Sequence, residues 1–186
     1  MNNNLKIVSI GPYSPFRGGI ADFNHHLVTQ LKNSHDVTIL NFKKLYPKIF
    51  FPGKSQYKNN ASNNNLKINF FSLDILNESL SRNRYDIIVS NPPYVSVSDK
   101  DKMHRRVVEF EPNNAIFVNN KDPLIFYDQI AQKAKESLNK KGFIFFECNS
   151  DYINGVNDIL LKNSFSNIEI RSDFRNNKRM IKARNG

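Results

Sequence analysis

Asn91-Pro92-Pro93-Tyr94 directly follows the apolar run Tyr85-Asp86-Ile87-Ile88-Val89-Ser90, and these four residues are the ones in the chain best suited to chemistry. The Asn91 amide oxygen and the Pro92 carbonyl can together accept both hydrogens of a planar amino group, with the Tyr94 ring able to cover it. Such a nitrogen is a poor nucleophile because its lone pair is delocalised, so it must be held in line with an activated methyl to react. Acceptors on its two hydrogens favour a transition state in which positive charge grows on nitrogen. Two consecutive prolines have no backbone N–H and a narrow dihedral range, which makes the loop a rigid set of acceptors. These residue types imply methyl transfer from a sulfonium donor to an amide or exocyclic nitrogen. The same four residues would also serve as an ordinary strand-ending turn.

Other reactive residue types imply less. His25, His26 and His35 have no Asp or Glu at metal-ligand spacing and read as surface or capping residues, so no metal site is expected. The single Cys148 excludes an intramolecular disulfide and a cysteine-rich zinc site, and its place in an apolar run reads as a small buried side chain. Glu147, beside it at a strand end, reads as structural. Gly18-Gly19 precedes a helical pattern and suits a tight entry turn and a ligand contact equally well.

The elements that must position these residues alternate. Lys6 to Ile10 reads as a strand ending at Gly11-Pro12, followed by a helix through Lys32 with Ile20, Phe23, Leu27, Val28 and Leu31 at helical spacing. Strands are expected at Asp36 to Phe42, Lys67 to Phe71 and Asp86 to Ser90. Pro123 to Leu138 is an amphipathic helix with Leu124, Phe126, Tyr127, Ile130, Ala131, Ala134 and Leu138 on its apolar face, ended by Lys140-Lys141-Gly142. Phe143 to Cys148 reads as a strand covered on both faces, Tyr152 to Asn163 as a helix, and Ile168 to Asp173 with Arg179 to Ala183 as a closing antiparallel pair. The fold class is α/β: a Rossmann-like, doubly wound sheet, mostly parallel with a C-terminal antiparallel strand pair. Ligands then bind at the carboxyl ends of the strands, where Asp74 and Asn91 both fall.

From about Leu66 onward the sequence resembles the N5-glutamine methyltransferases of peptide chain release factors. The resemblance rests on Phe71-Ser72-Leu73-Asp74-Ile75-Leu76, the run from Tyr85 to Val95, Glu109-Phe110-Glu111-Pro112-Asn113-Asn114-Ala115-Ile116-Phe117, Asp122-Pro123-Leu124-Ile125-Phe126-Tyr127, Gly142 to Glu147, and Asp173 to Ala183. It implies S-adenosylmethionine as donor and the glutamine of a release factor's Gly-Gly-Gln loop as acceptor. By the same resemblance Asn91 and Pro92 hold the amide, Pro93 and Tyr94 complete the loop with Tyr94 packing on the substrate, and Asp74 with Ile75 lies near the donor's adenine. Glu111-Pro112 would be a supporting loop. The family's N-terminal helical domain and its glycine-rich donor-binding turn are not legible here, and the position after the second strand where a ribose-holding carboxylate is wanted is Asn41. Residues 1–57 instead resemble the start of a group 4 glycosyltransferase, through Lys6 to Pro12, Phe16-Arg17-Gly18-Gly19-Ile20-Ala21-Asp22-Phe23-Asn24, and Tyr46 to Tyr57.

The expected organisation is therefore composite: a glycosyltransferase-like βαβ fragment over 1–57, an asparagine-rich linker over 58–65, and the C-terminal part of a methyltransferase domain over 66–186. The first strand, helix and second strand would fill sheet positions that the methyltransferase half lacks. An N6-adenine nucleic-acid methyltransferase is an alternative, since an exocyclic amine presents the same two hydrogens after base flipping. A glycosyltransferase fragment or inactive relic is another.

A length of 186 residues with 39% hydrophobic content supports one domain with a sizeable core. No stretch approaches the roughly 18 apolar residues of a membrane span, and the polar start Met1-Asn2-Asn3-Asn4 is unlike a secretory signal, so a cytoplasmic protein without membrane contact is expected. The formal charge of +10 favours acidic partners and suits ribosome proximity. Its cations form one cluster at Lys100, Lys102, Arg105 and Arg106 and another at Arg171, Arg175, Lys178, Arg179, Lys182 and Arg184. Either would equally be a solvated face.

Overall fold

Ile7, Val8, Ser9 and Ile10 are all buried, which a strand achieves only when neighbours flank both edges and layers cover both faces. The computed structural model describes residues 4–13, 19–42, 69–80, 85–93, 95–96, 117–118 and 122–186. Within them the chain runs β1 (Lys6–Ile10), α1 (Gly19–Leu31), β2 (Asp36–Phe42), β3 (Asn69–Leu73), β4 (Tyr85–Ser90), β5 (Val95–Ser96), β6 (Phe117–Val118), α2 (Ile125–Ser137), β7 (Leu138–Glu147), α3 (Ile153–Lys162), β8 (Phe165–Ser172) and β9 (Lys178–Asn185). A 3-10 turn at Ser150–Tyr152 leads into α3.

Seven strands form one sheet in the order β3-β2-β1-β4-β7-β9-β8, and β5 pairs with β6 separately. The first five of the seven are parallel, β9 runs antiparallel to β7, and β8 antiparallel to β9. This is the mostly parallel, doubly wound sheet with an antiparallel closing pair that the sequence predicts. β1 lies between β2 and β4, with Ile7 opposite Val37 on one side and Ile87 on the other. Residues 6–42 thus place β1 and β2 in the same sheet as the later strands, with α1 packed against it. The 58–65 linker lies outside the described residues.

α2 and α3 cover one face, where Tyr127, Ile130, Ala131 and Ala134 meet Val8, Ile88, Ile144, Phe146 and Ile181 in the main core. α1 covers the other face through Val28, against Tyr13, Val37 and Ile39. The periodicity misplaces α1 by part of a turn. Ala21, Asn24 and Val28 face inward and Phe23 is 53% exposed, because the Asn24 Nδ2 donates to the Pro12 carbonyl at 2.7 Å and fixes the helix's rotation.

The other difference concerns Lys140-Lys141-Gly142, which lie inside β7 and not at the end of a helix. Leu138 is already extended, at φ −78° and ψ 143°, although its N–H still caps the helix on Ala134. Its side chain is fully buried, it pairs with Tyr85, and the Asn185 Nδ2 ties its carbonyl at 3.2 Å. Those tertiary contacts outweigh the turn preference of Lys-Gly.

Because β1 and β4 are paired neighbours, the N-terminal and C-terminal parts should unfold together. Ile88→Ala, deleting a fully buried side chain opposite Val8 and Ile144, should cost about 2–5 kcal/mol in urea unfolding and leave one cooperative transition. Two separate transitions, one of them indifferent to the substitution, would refute that coupling.

Candidate functional site

All five parallel strands end on the same edge of the sheet, and the sheet reverses its winding between β1 and β4. The crevice at that switch point is where doubly wound sheets take ligands. Gly11, Asn41, Asp74, Asn91 and Glu147 sit at or just past the ends of β1, β2, β3, β4 and β7.

Asn91 is 6% exposed, and its Nδ2 donates to the Glu147 Oε2 at 2.7 Å. Its Oδ1 is buried and has no hydrogen-bond partner among the described residues. A carboxylate only accepts, so Glu147 fixes which end of the Asn91 amide is which and leaves the acceptor end open. A buried acceptor left unpaired costs about 1–3 kcal/mol, which an incoming N–H would relieve. Pro92 and Pro93 are buried as well, whereas Tyr94 lies outside the described residues. Burial raises the Glu147 carboxyl above its ordinary value of 4.5, and Arg179 partly opposes this. The Tyr127 hydroxyl donates to the Glu147 carbonyl at 2.9 Å, holding the strand end from below. Next to it, Cys148 is fully buried and its thiol is pushed up to about 12, chiefly by burial.

On the β1 side, Gly11 takes a φ of 154°, which side-chain-bearing residues rarely adopt. A Cβ there would stand 3.2 Å from the Asn24 Nδ2 and 3.5 Å from the Asn91 carbonyl oxygen. The Ser90 Oγ donates to the Ile10 carbonyl at 2.8 Å, so the two strand ends flanking the crevice are tied directly. Asn41 is 3% exposed and clasps Tyr13 from both sides: its Oδ1 accepts the Tyr13 N–H at 3.1 Å and its Nδ2 donates to the Tyr13 carbonyl at 3.4 Å.

At the end of β3, the Asp74 carboxylate accepts from the Leu76 N–H at 3.2 Å and the Asn77 Nδ2 at 3.0 Å, closing its own turn. The Asn77 side-chain bond leads the causes that hold Asp74 below the usual carboxylate range. Ile75 is buried, and its carbonyl accepts from the Lys133 Nζ of α2.

The fold therefore brings Asp74, Ile75, Asn91, Pro92 and Pro93 to one edge. Glu147 is the site member that its strand-end position alone undervalues, since its relation to Asn91 spans 56 residues of sequence and appears only once β4 and β7 are in register. Gly18, Glu111-Pro112 and the cations at Lys100, Lys102, Arg105 and Arg106 lie outside the described residues. Among the described residues no cluster of His, Cys, Asp and Glu could hold a metal ion, and no helix is long and apolar enough to cross a membrane.

The fold places Gly11 and the Asp74–Ile75 turn at the strand ends where an S-adenosylmethionine-type donor would bind, the space beside the Gly11 Cα being taken by Asn24 and Asn91. The residues depart from such a site at Asn41, whose amide is neutral and already engaged with Tyr13.

Glu147→Gln, which keeps an acceptor for the Asn91 Nδ2 but removes the buried charge, should reveal the raised carboxyl. A folded-state value above the unfolded one means wild-type stability is fully present below about pH 4.5 and is lost as pH rises through the raised value. Relative to Gln, the wild-type urea midpoint should therefore fall from acid to neutral pH, and a pH-independent difference would refute the raised value.

No protein-family profile matches the chain. It is 38% identical over 124 residues to the release factor glutamine methyltransferase of Flavobacterium psychrophilum, covering 67% of this chain and 44% of that one. Against the enzyme of the same name from Francisella tularensis it is 33% identical over 182 residues, 98% of this chain and 58% of the relative, so that likeness extends through the N-terminal segment. The chain spans about half the length of the curated relatives it matches. A crystal structure of a methyltransferase from Pyrococcus furiosus superposes with a TM-score of 0.59 at 14% identity, covering 98% of this chain and 76% of that one. Human N-acetylserotonin methyltransferase in complex with S-adenosylmethionine superposes with a TM-score of 0.55 at 11% identity, covering 97% and 47%. The chain thus has the Rossmann-like fold of S-adenosylmethionine-dependent methyltransferases and is similar in sequence, over two thirds of its length, to a release factor glutamine methyltransferase.

Proposed function

We propose that the chain methylates the N5 nitrogen of a glutamine side chain in a peptide chain release factor, with S-adenosylmethionine as donor. The observation that carries this reading is the open, buried Oδ1 of Asn91, held in that orientation by the Glu147 carboxylate. The sequence likeness to release factor glutamine methyltransferases supports the choice of a protein amide over a nucleic-acid base.

When bound, the donor supplies a methyl activated by a sulfonium charge; Gly11 and the Asp74–Ile75 turn are the residues that would hold it. The rest is the work of the protein's own groups. Asn91 accepts an N–H of the glutamine amide, and the Pro92 carbonyl is the second acceptor. As the nitrogen's lone pair is drawn toward carbon, its N–H groups become more acidic and their bonds to these acceptors strengthen, so the site binds the transition state more tightly than the ground state. Glu147, on the far side of the Asn91 amide, polarises it and adds to the negative charge on Oδ1. Burial of Asn91, Pro92 and Pro93 keeps water from competing for the same acceptors. By the sequence likeness, Tyr94 would pack on the glutamine side chain. No general base is needed before the methyl moves; the methylated nitrogen, strongly acidic once its lone pair is used, then loses one of its protons to water and becomes a neutral secondary amide.

Asn91→Ala should lower the methylation rate of an intact release factor by about 10²–10³-fold or more without unfolding the protein, measured as tritium transferred from labelled donor. Retained turnover would remove Asn91 from the mechanism. Calorimetric titration with S-adenosylmethionine tests the donor half separately. Methyl transfer to adenine in an oligonucleotide, with none to the release factor, would replace this reading by the nucleic-acid alternative.

A further inference from the structure

Phe174 is 93% exposed, the extreme among the large apolar side chains described. Its turn is nonetheless tightly built. The Asp173 Oδ1 accepts from the backbone N–H groups of Arg175 at 2.8 Å and Asn177 at 2.9 Å. The Asp173 N–H donates to the Asn177 carbonyl at 2.9 Å, and Asn176 adopts a φ of 67° to close the loop. A ring displayed on so constrained a turn loses little conformational freedom when a partner covers it, which is the economy of a binding anchor.

The turn also stands on the edge of the sheet that carries the site. Glu147 pairs with Met180 across β7 and β9, and the Cys148 N–H donates to the Arg179 carbonyl at 2.8 Å. The Arg179 Nε lies 3.4 Å from the Asp173 Oδ2, and its charge acts on Glu147, which holds Asn91. A short series of contacts thus runs from the acceptor amide to the base of the turn. Met180, opposite Glu147 on β9, is itself 42% exposed.

The charges choose the partner. Between Glu169 and Lys182 there are five cations and two carboxylates. Glu169 meets Arg171 and Lys182, and Asp173 meets Arg179, while Arg175 and Lys178 have no carboxylate partner among the described residues. A phosphate backbone is gripped by many unpaired cations; this hairpin is net positive, but of its described cations only Arg175 and Lys178 are unpaired beside its one aromatic anchor, which suits an acidic protein face better than RNA. The Arg175 guanidinium lies 5.5 Å from the Phe174 ring centroid, which leaves the remainder of the ring for a partner.

We propose that the Phe174–Arg175 turn is a docking contact for the protein that presents the acceptor glutamine. Phe174 enters an apolar hollow on that protein, and Arg175 and Lys178 face its acidic rim. This rests on the glutamine reading for the partner's identity. The contact is separable from the chemistry, since it binds surface remote from the reacting amide.

The test is the affinity of the purified protein for an intact bacterial release factor, measured by calorimetry without donor. Phe174→Ser should weaken it about tenfold or more, Arg175→Glu should weaken it most at low salt, and Phe174→Tyr should preserve it. Phe174 makes little contact within the protein, so the variants should keep the wild-type urea midpoint. Unchanged affinity in Phe174→Ser, or no binding by wild type, overturns the proposal. So does tight, Phe174-dependent binding of a structured RNA with none of the release factor. Phe174-dependent binding with no methyl transfer to the bound protein would leave the docking contact standing and overturn the glutamine reading instead.

Discussion

One hydrogen bond, from the Asn91 Nδ2 to the Glu147 Oε2 at 2.7 Å, gives the site its polarity. Free of that bond, the Asn91 amide could present either a donor or an acceptor to its surroundings. With a carboxylate holding one of its N–H groups, the amide keeps its nitrogen on that side and its oxygen free to accept. The bond exists because β4 and β7 run parallel in a register that sets Ser90 beside Phe146, so that the next residue of each strand meets across the gap. The register depends in turn on the buried residues of both strands and on β1 along the other edge of β4.

The opposite wall of the crevice is stabilised differently. Ser90 bonds the Ile10 carbonyl, Asn24 the Pro12 carbonyl and Asn41 both polar groups of Tyr13, so a chain of neutral side chains fixes the backbone after β1. Those bonds satisfy buried backbone groups that have left the sheet ladder, which is why three polar side chains can lie in the interior at all. The β1 wall therefore contributes shape, and the β4–β7 wall contributes charge.

Much of this was legible in the order of residues. β1 and β2 have the boundaries their apolar runs predict, because each is bounded by a strong breaker or a charged residue and buried on both faces. Asn91 announces itself by its two prolines and the strand before them. What the sequence conceals is non-local. The rotation of α1 follows from an Asn24 bond to the Pro12 carbonyl rather than from its apolar spacing. The start of β7 follows from contacts that Leu138 makes with Tyr85 and Asn185. Glu147 becomes meaningful only beside Asn91, and the exposure of Phe174 is invisible in a segment whose neighbours alternate like those of any hairpin.

Cys148, the single cysteine of the chain, adjoins Glu147 with no solvent exposure. A thiol whose pKa is pushed up to about 12 stays protonated at neutral pH, and the thiolate is the form that oxidants and alkylating reagents attack. Burial therefore shields the Cys148 thiol of the folded chain. Peroxide or a maleimide will leave it untouched until the chain unfolds, so thiol reactivity reports unfolding at the end of β7, and a cysteine introduced on the surface becomes the only thiol label.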